Sequence, residues 1–182
     1  MSAFNTVKIQ RSILTLHHAA GSDIARPHMA GVWIDFKAGK AVVTDGYIMA
    51  LQDVAKDDTL PNLFIPTSIC KTFDKGRIEE IECCYNEAQA EFSFGSVKHM
   101  SIEQQYVKIF PWQQLVPTTI KKGSNETLFN PFLFARIGKA LGFVEKGMKK
   151  GLHIKIQDPL APICILDNNK IVGLVMPMGG PK

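Results

Sequence analysis

One order of elements governs what this chain can fold into. A strand–helix–three-strand unit is written three times over 182 residues, at intervals of about sixty residues. In the first unit Ile9, Ile13, Leu16 and Ala20 fall at helical spacing and Gly21 follows, which predicts a helix over residues 9–20. Strands are expected over 28–36, 41–44 and 47–54, with Lys37-Ala38-Gly39-Lys40 and Asp45-Gly46 as the turns between them. The second unit reads as a short strand over 60–65, a helix over 67–75 opened by Pro66 and closed by Gly76, and strands over 77–85, 88–94 and 97–105. Alternation in Ala90-Glu91-Phe92-Ser93-Phe94 marks a sheet with one wet face. Residues 109–117 carry Pro111 and Pro117 and so are extended without being a central strand.

A polar linker over 118–125 leads to the third unit. Its expected elements are a strand over 127–129, a helix over 131–146, and strands over 152–157, 162–166 and 170–176. Phe134, Ile137 and Leu141 share one face of that helix, while Arg136, Lys139 and Lys146 fall elsewhere. Asp167-Asn168-Asn169-Lys170 joins the last two strands as a hairpin turn. The chain then runs through Met176-Pro177-Met178 into Gly179-Gly180. Methionine serves both as core filler and at adaptable binding surfaces, and on the residues alone Met176 and Met178 read first as the end of a core strand.

Composition narrows the function classes. No apolar run approaches the roughly 18–20 residues that cross a bilayer, and the N-terminus lacks the charged-then-apolar pattern of a secretory signal, so a cytoplasmic protein is expected. Cys70, Cys83, Cys84 and Cys164 show no C-x-x-C spacing and no nearby paired histidine, and read as small buried hydrophobes. His17 and His18 read as helix-surface histidines with no third ligand at metal spacing. No metal or cofactor is expected. Asp23, Asp35 and Asp45 are scattered among turns and strands, and no nucleophile–base pair or glycine-rich phosphate loop stands in a coherent context, so the chain reads as a non-enzyme. The net charge of +4 permits a polyanion as partner without requiring one.

Three stretches, taken together and in order, resemble the bacterial DNA polymerase III β subunit, the sliding-clamp family. The first is His28-Met29-Ala30-Gly31-Val32 followed by Val42-Val43-Thr44-Asp45-Gly46-Tyr47. The second is Phe110-Pro111 through Val116-Pro117. The third runs from Phe129-Asn130-Pro131 through Asp158-Pro159-Leu160-Ala161-Pro162 to Val175-Met176-Pro177-Met178. Departures are Tyr47-Ile48, where the family usually has His-Arg, and Gly179-Gly180, where it has Arg-Leu.

The resemblance implies an α+β clamp, or processivity, fold: repeated strand–helix–three-strand half-units, antiparallel sheets outside and helices facing a central hole. Residues 1–118 resemble one complete domain of two half-units, 1–57 and 58–118, and 119–182 resembles the closing half of another. The implied role is that of a DNA sliding clamp, which holds duplex DNA without reading sequence and tethers polymerase and clamp-loader subunits through short apolar peptides. By matched position the peptide pocket would be formed by Arg26, Met29, Thr44, Gly46, Tyr47, Met49, Pro111, Leu115, Leu174, Met176, Pro177 and Met178. This reverses the first reading of Met178 and Pro177, which become pocket wall, while Met176 can still be core. The cations expected to face DNA are Lys8, Arg11, Lys71, Lys75, Arg136, Lys139, Lys146, Lys149 and Lys150. Family chains carry six half-units and close twelve from two chains. Three per chain would close twelve from four, so a homotetrameric ring is expected, with third units paired about a two-fold axis. The small size suggests a phage or mobile-element source. A clamp-like decoy that binds partner peptides or a host clamp without encircling DNA is the alternative.

Overall fold

A computed structural model describes residues 4–22, 25–74, 78–94, 98–103, 109–119, 129–143, 153–157 and 161–178. The first unit opens with strand β1 (Asn5–Gln10), helix α1 (Arg11–Thr15) and a 3-10 turn over Leu16–Ala19. A second 3-10 turn, Pro27–Met29, leads to β2 (Gly31–Asp35), β3 (Lys40–Thr44) and β4 (Ile48–Asp53). The second unit comprises β5 (Leu63–Pro66), α2 (Thr67–Asp74), β6 (Glu80–Tyr85), β7 (Gln89–Phe94) and β8 (Lys98–Glu103). Helix α3 (Pro131–Ala140), β9 (His153–Lys155), β10 (Ile163–Asp167) and β11 (Lys170–Val175) complete the chain.

The expected helix over 9–20 is corrected at its start. Val7 and Ile9 alternate with exposed neighbours and pair with Cys83 and Ile81 of β6, so the strand period takes residues that also fit a helical one. The strand expected over 127–129 lies almost wholly outside the described residues. Phe129, which is described, is not in a strand, and the C-terminal end of the helix expected to reach residue 146 also lies outside them. Helix α3 is well specified where it is seen. Asn130 accepts a hydrogen bond from Phe132 N at 3.0 Å, and Pro131 occupies the first helical position, where its missing N–H costs nothing.

Two antiparallel sheets result, in strand orders β1-β6-β7-β8 and β5-β2-β3-β4-β11-β10-β9. The opening strands of the first two units are exchanged: β1 extends the sheet of β6 to β8, and β5 extends that of β2 to β4. Neither unit can then leave without breaking the other's ladder. The third unit joins at the far edge of β4, with Gly173, Leu174 and Val175 opposite Ala50, Met49 and Ile48. Its β11 edge is thereby satisfied within the chain. Among the described residues the outer edge of β9 has no partner strand.

Alternate residues of β3 and β4 feed two separate cores. Ala41, Val43, Ile48 and Ala50 join Ile13, Leu14, Leu16, Phe73 and Ile137 on the helix side. Val42, Met49 and Leu51 join Trp112, Cys164 and Leu174 on the opposite side. Residues 109–116 lie across that second face as a strap, with Ile109, Phe110 and Val116 packed on it. The strap is pinned by Asp35, whose Oδ2 accepts from Trp112 Nε1 and Gln113 Nε2, each at 3.2 Å, while Oδ1 accepts from Ala38 N at 2.9 Å. On the helix side α1 packs on α2, and its 3-10 continuation packs on α3, giving a row of helices behind the sheets. All of the cysteines are free thiols, and burial pushes the Cys83 thiol up to about 12.

Candidate partner-binding site

The hairpin turn after β3 is built by its own side chains. Thr44 Oγ1 donates to Ile48 O at 2.7 Å and accepts from Gly46 N at 3.0 Å. Asp45 Oδ1 accepts from Tyr47 N at 2.8 Å and Ile48 N at 2.9 Å. Gly46 sits at φ +94°, a conformation that side chains resist, and a Cβ there would lie 3.5 Å from Arg26 Nη1 and 4.0 Å from Met29 Sδ. The turn leaves Tyr47 projecting, 66% exposed, next to Gly46, which lies beside Arg26 and Met29. The tail runs directly against it, with Met176 N donating to Tyr47 O at 2.8 Å.

The twelve residues expected to form the pocket divide into floor and rim. Met49 and Leu174 face each other across the β4–β11 junction and are each only 4% exposed, so they are floor. Thr44 is also buried. Tyr47, Met176 (41%), Met178 (52%) and Leu115 (53%) carry their apolar surface into solvent, and Pro177 is half-buried. Arg26, Gly46 and Pro111 are exposed, and Met29 is half-buried. Pro111 and Leu115 flank Trp112, which covers the same floor from the strap. Most apolar side chains of this exposure would be neutral singly. Tyr47 and Met176 are joined backbone to backbone, Met178 lies two residues further on, and Leu115 belongs to the strap that covers the Met49–Leu174 pair, so exposed apolar surface is carried by the segments that adjoin that pair.

The expected DNA-facing cations fare unevenly. Lys71 on α2 and Lys139 on α3 are exposed on the helix row, and Arg11 is half-buried at the start of α1. Lys8 is corrected: it stands on β1 opposite in sense to Val7 and Ile9, hence on the face away from the helices. There its ammonium donates to Glu80 Oε1 at 2.7 Å, and the hydrogen bond accepted by that carboxylate raises the Lys8 pKa. Arg136 is corrected too. Its guanidinium is turned onto the first unit, where Nη1 donates to Asp45 Oδ2 at 2.5 Å, Nη2 to Ala20 O at 3.0 Å and Nε to His18 O at 3.3 Å. Lys75, Lys146, Lys149 and Lys150 lie outside the described residues. His17 is buried rather than on the surface, with Nδ1 2.8 Å from Leu14 O.

Sequence reasoning missed three contributors here. Asp45 and Asp35 read as scattered carboxylates, yet one shapes the turn and the other fastens the strap. Trp112 stands in the sequence only as part of an extended passage; a lone tryptophan between two prolines is the available signal, since a buried indole needs a hydrogen-bond partner.

No protein-family model and no curated protein matches the sequence. Solved structures do match in three dimensions. The DNA polymerase III subunit β of Borrelia burgdorferi, solved with a natural product, superposes with a TM-score of 0.78 at 11% identity, covering 100% of this chain and 65% of that one. The sliding clamp of Bartonella birtlesii bound to griselimycin gives 0.71 at 16% identity, covering 99% and 68%. The β subunit of Thermotoga maritima gives 0.71 at 12% identity, covering 100% and 67%. The fold is that of the sliding clamps. This chain spans about two thirds of the length of those clamps while its whole length is used. Within this fold, the Met49–Leu174 pair lies where the first unit meets the tail, on the strap side of the seven-stranded sheet.

Proposed function

We propose that this protein is a reduced DNA sliding clamp: a ring that holds duplex DNA without sequence preference and tethers polymerase or clamp-loader subunits through short apolar peptides. The observation that carries the tethering half is the grouping of Tyr47, Leu115, Met176 and Met178 as an exposed rim around the buried Met49–Leu174 floor. Such a rim is costly to leave in water unless a partner uses it, and two apolar anchors in a desolvated pocket carry most of the affinity of such an interface. The role is binding, with no chemical step.

The DNA-holding half rests on the fold and on cations of the helix row, Lys71 and Lys139, joined in sequence by Lys75, Lys146, Lys149 and Lys150. Contacts of that kind go to phosphates, carry no sequence information and weaken with salt, as a sliding contact must. Ring closure follows from the third unit. Within the first two units β5 covers the outer edge of β2; the corresponding edge of β9 has no partner among the described residues, and Phe132 on α3 is 77% exposed. A second copy's third unit, related by a two-fold axis, would cover both. Three half-units per chain then close a twelve-unit ring from four chains. Light scattering under native conditions is expected to give the mass of four 20.2 kDa chains; a mass of one or two chains would overturn the ring.

A further inference from the structure

We infer that Arg136, on helix α3, is a positioning residue that sets the shape of the peptide groove through Asp45; the inference rests on the groove reading above. The two oxygens of Asp45 are divided between two tasks. Oδ1 holds the amides of Tyr47 and Ile48, and Oδ2 receives Arg136 Nη1 at 2.5 Å. The Asp45 side chain is only 9% exposed, so its charge depends on that guanidinium for compensation.

Arg136 is itself held by three bonds. Besides Asp45 it donates to the carbonyls of His18 and Ala20, which close the 3-10 turn after α1 and are left without helical partners. A planar fork can meet a carboxylate and two carbonyls at fixed angles; a lysine ammonium on a flexible stem cannot hold the same geometry. The third unit thereby reaches across the helix row and fixes a turn of the first unit.

That turn carries the groove. Tyr47 projects from it as rim, its carbonyl receives Met176 N, and Gly46 lies beside Arg26 and Met29. Releasing Asp45 would loosen the Tyr47 wall and the start of the tail together, whereas the sheet ladder of β3 and β4, set by backbone pairing, would persist. Arg136 touches no ligand in this scheme and acts only through the turn.

The test uses the full-length protein, a fluorescein-labelled peptide with adjacent Leu and Phe anchors, and amide hydrogen exchange at Tyr47 and Ile48. Arg136→Gln is expected to weaken peptide binding about tenfold, a typical size for coupled neighbours, and to speed exchange at those two amides without speeding it across β3. Adding Asp45→Asn removes the uncompensated charge while keeping an oxygen for both amides, so the double variant should recover slow exchange and most of the affinity. A merely structural tie between α3 and the first unit would not be rescued by changing Asp45. Wild-type affinity and unchanged exchange in Arg136→Gln would overturn the inference. Should the wild-type protein fail to bind the peptide, the groove reading falls and the exchange data still decide the role of Arg136 in the turn. If Arg136→Gln does not fold, Arg136→Lys serves in its place, with the same two readouts and a smaller expected change.

Discussion

The attachment of the third unit to the first can be tested at a single hydrogen atom of β11. Gly173 pairs with Ala50 at the β4–β11 junction, under the buried side chain of Ile137 from α3. A Cβ on Gly173 would come 2.6 Å from Ile137 Cδ1, 3.4 Å from its Cγ1 and 3.3 Å from Met49 O. Gly173→Ala brings two opposed effects. Loss of glycine's freedom in the unfolded chain favours the variant by about 0.4–1 kcal/mol. Forcing a methyl into a filled core costs about 1–3 kcal/mol. At the centres of those two ranges the clash should win, leaving the variant destabilised by roughly 1.3 kcal/mol within a span of about 0–2.6 kcal/mol. Ile137→Val removes the offending Cδ1 and alone should cost about 0.5–1.5 kcal/mol. Combined, the two changes should cost less than their sum by about 1 kcal/mol, because valine leaves room for the alanine methyl. Urea unfolding of the wild type and the three variants, at one protein concentration because assembly adds to stability, measures the coupling. Additivity within about 0.3–0.5 kcal/mol would show that α3 does not rest on Gly173, and the junction as described would be wrong.

Two further perturbations probe the strap and the junction's outer charges. Asp35→Ala leaves the buried indole N–H of Trp112 without its acceptor, at about 1–3 kcal/mol, removes the bonds from Gln113 and Ala38 as well, and should shift tryptophan fluorescence to the red as the strap lifts; an unchanged spectrum and midpoint would refute the pin. Asp53 bonds Lys40 on β3 and, at 3.4 Å, Lys170 on β11, and the Lys40 hydrogen bond holds its carboxyl below the usual value of 3.8. A depressed carboxyl contributes stability above its unfolded pKa, and that contribution is lost as pH falls through the lower folded value. Both Asp53 and Lys170 are well exposed, so the effect should stay within about 0.5 kcal/mol and shrink in salt. Asp53→Asn should therefore flatten acid unfolding slightly below pH 4, and a large loss at neutral pH would refute the assignment.

Much of this architecture was legible in the residues, for reasons that are local. Gly46 and Asn168-Asn169 take the positive φ their turns require, with Gly46 at +94° and the asparagines at 47° and 64°. The alternation of β7 survives as alternating burial through Ala90 and Phe92 and ends at Phe94, which is exposed. What failed locally was the start of the chain, where Ile9 satisfies both a helical and a strand period and only its pairing with Ile81 decides. What could not be seen was long-range. Met49 and Leu174 are far apart in the chain, and only the β4–β11 junction makes them one floor. Arg136 reads as a DNA-facing helix cation until Asp45 is brought beneath it, and Lys8 reads as DNA-facing until strand geometry turns it to the other face. Residue type alone reads Met176 and Met178 as the end of a core strand, yet they are 41% and 52% exposed, and only the resemblance points to them as pocket wall.

Retention on DNA of different topology tests the central claim most directly. Protein bound to nicked circular duplex should remain through gel filtration in high salt, because a closed ring is held by topology after its phosphate contacts are screened. Cutting the same DNA once should release it. Equal retention on circular and cut DNA, or none on either, would contradict a clamp that encircles the duplex.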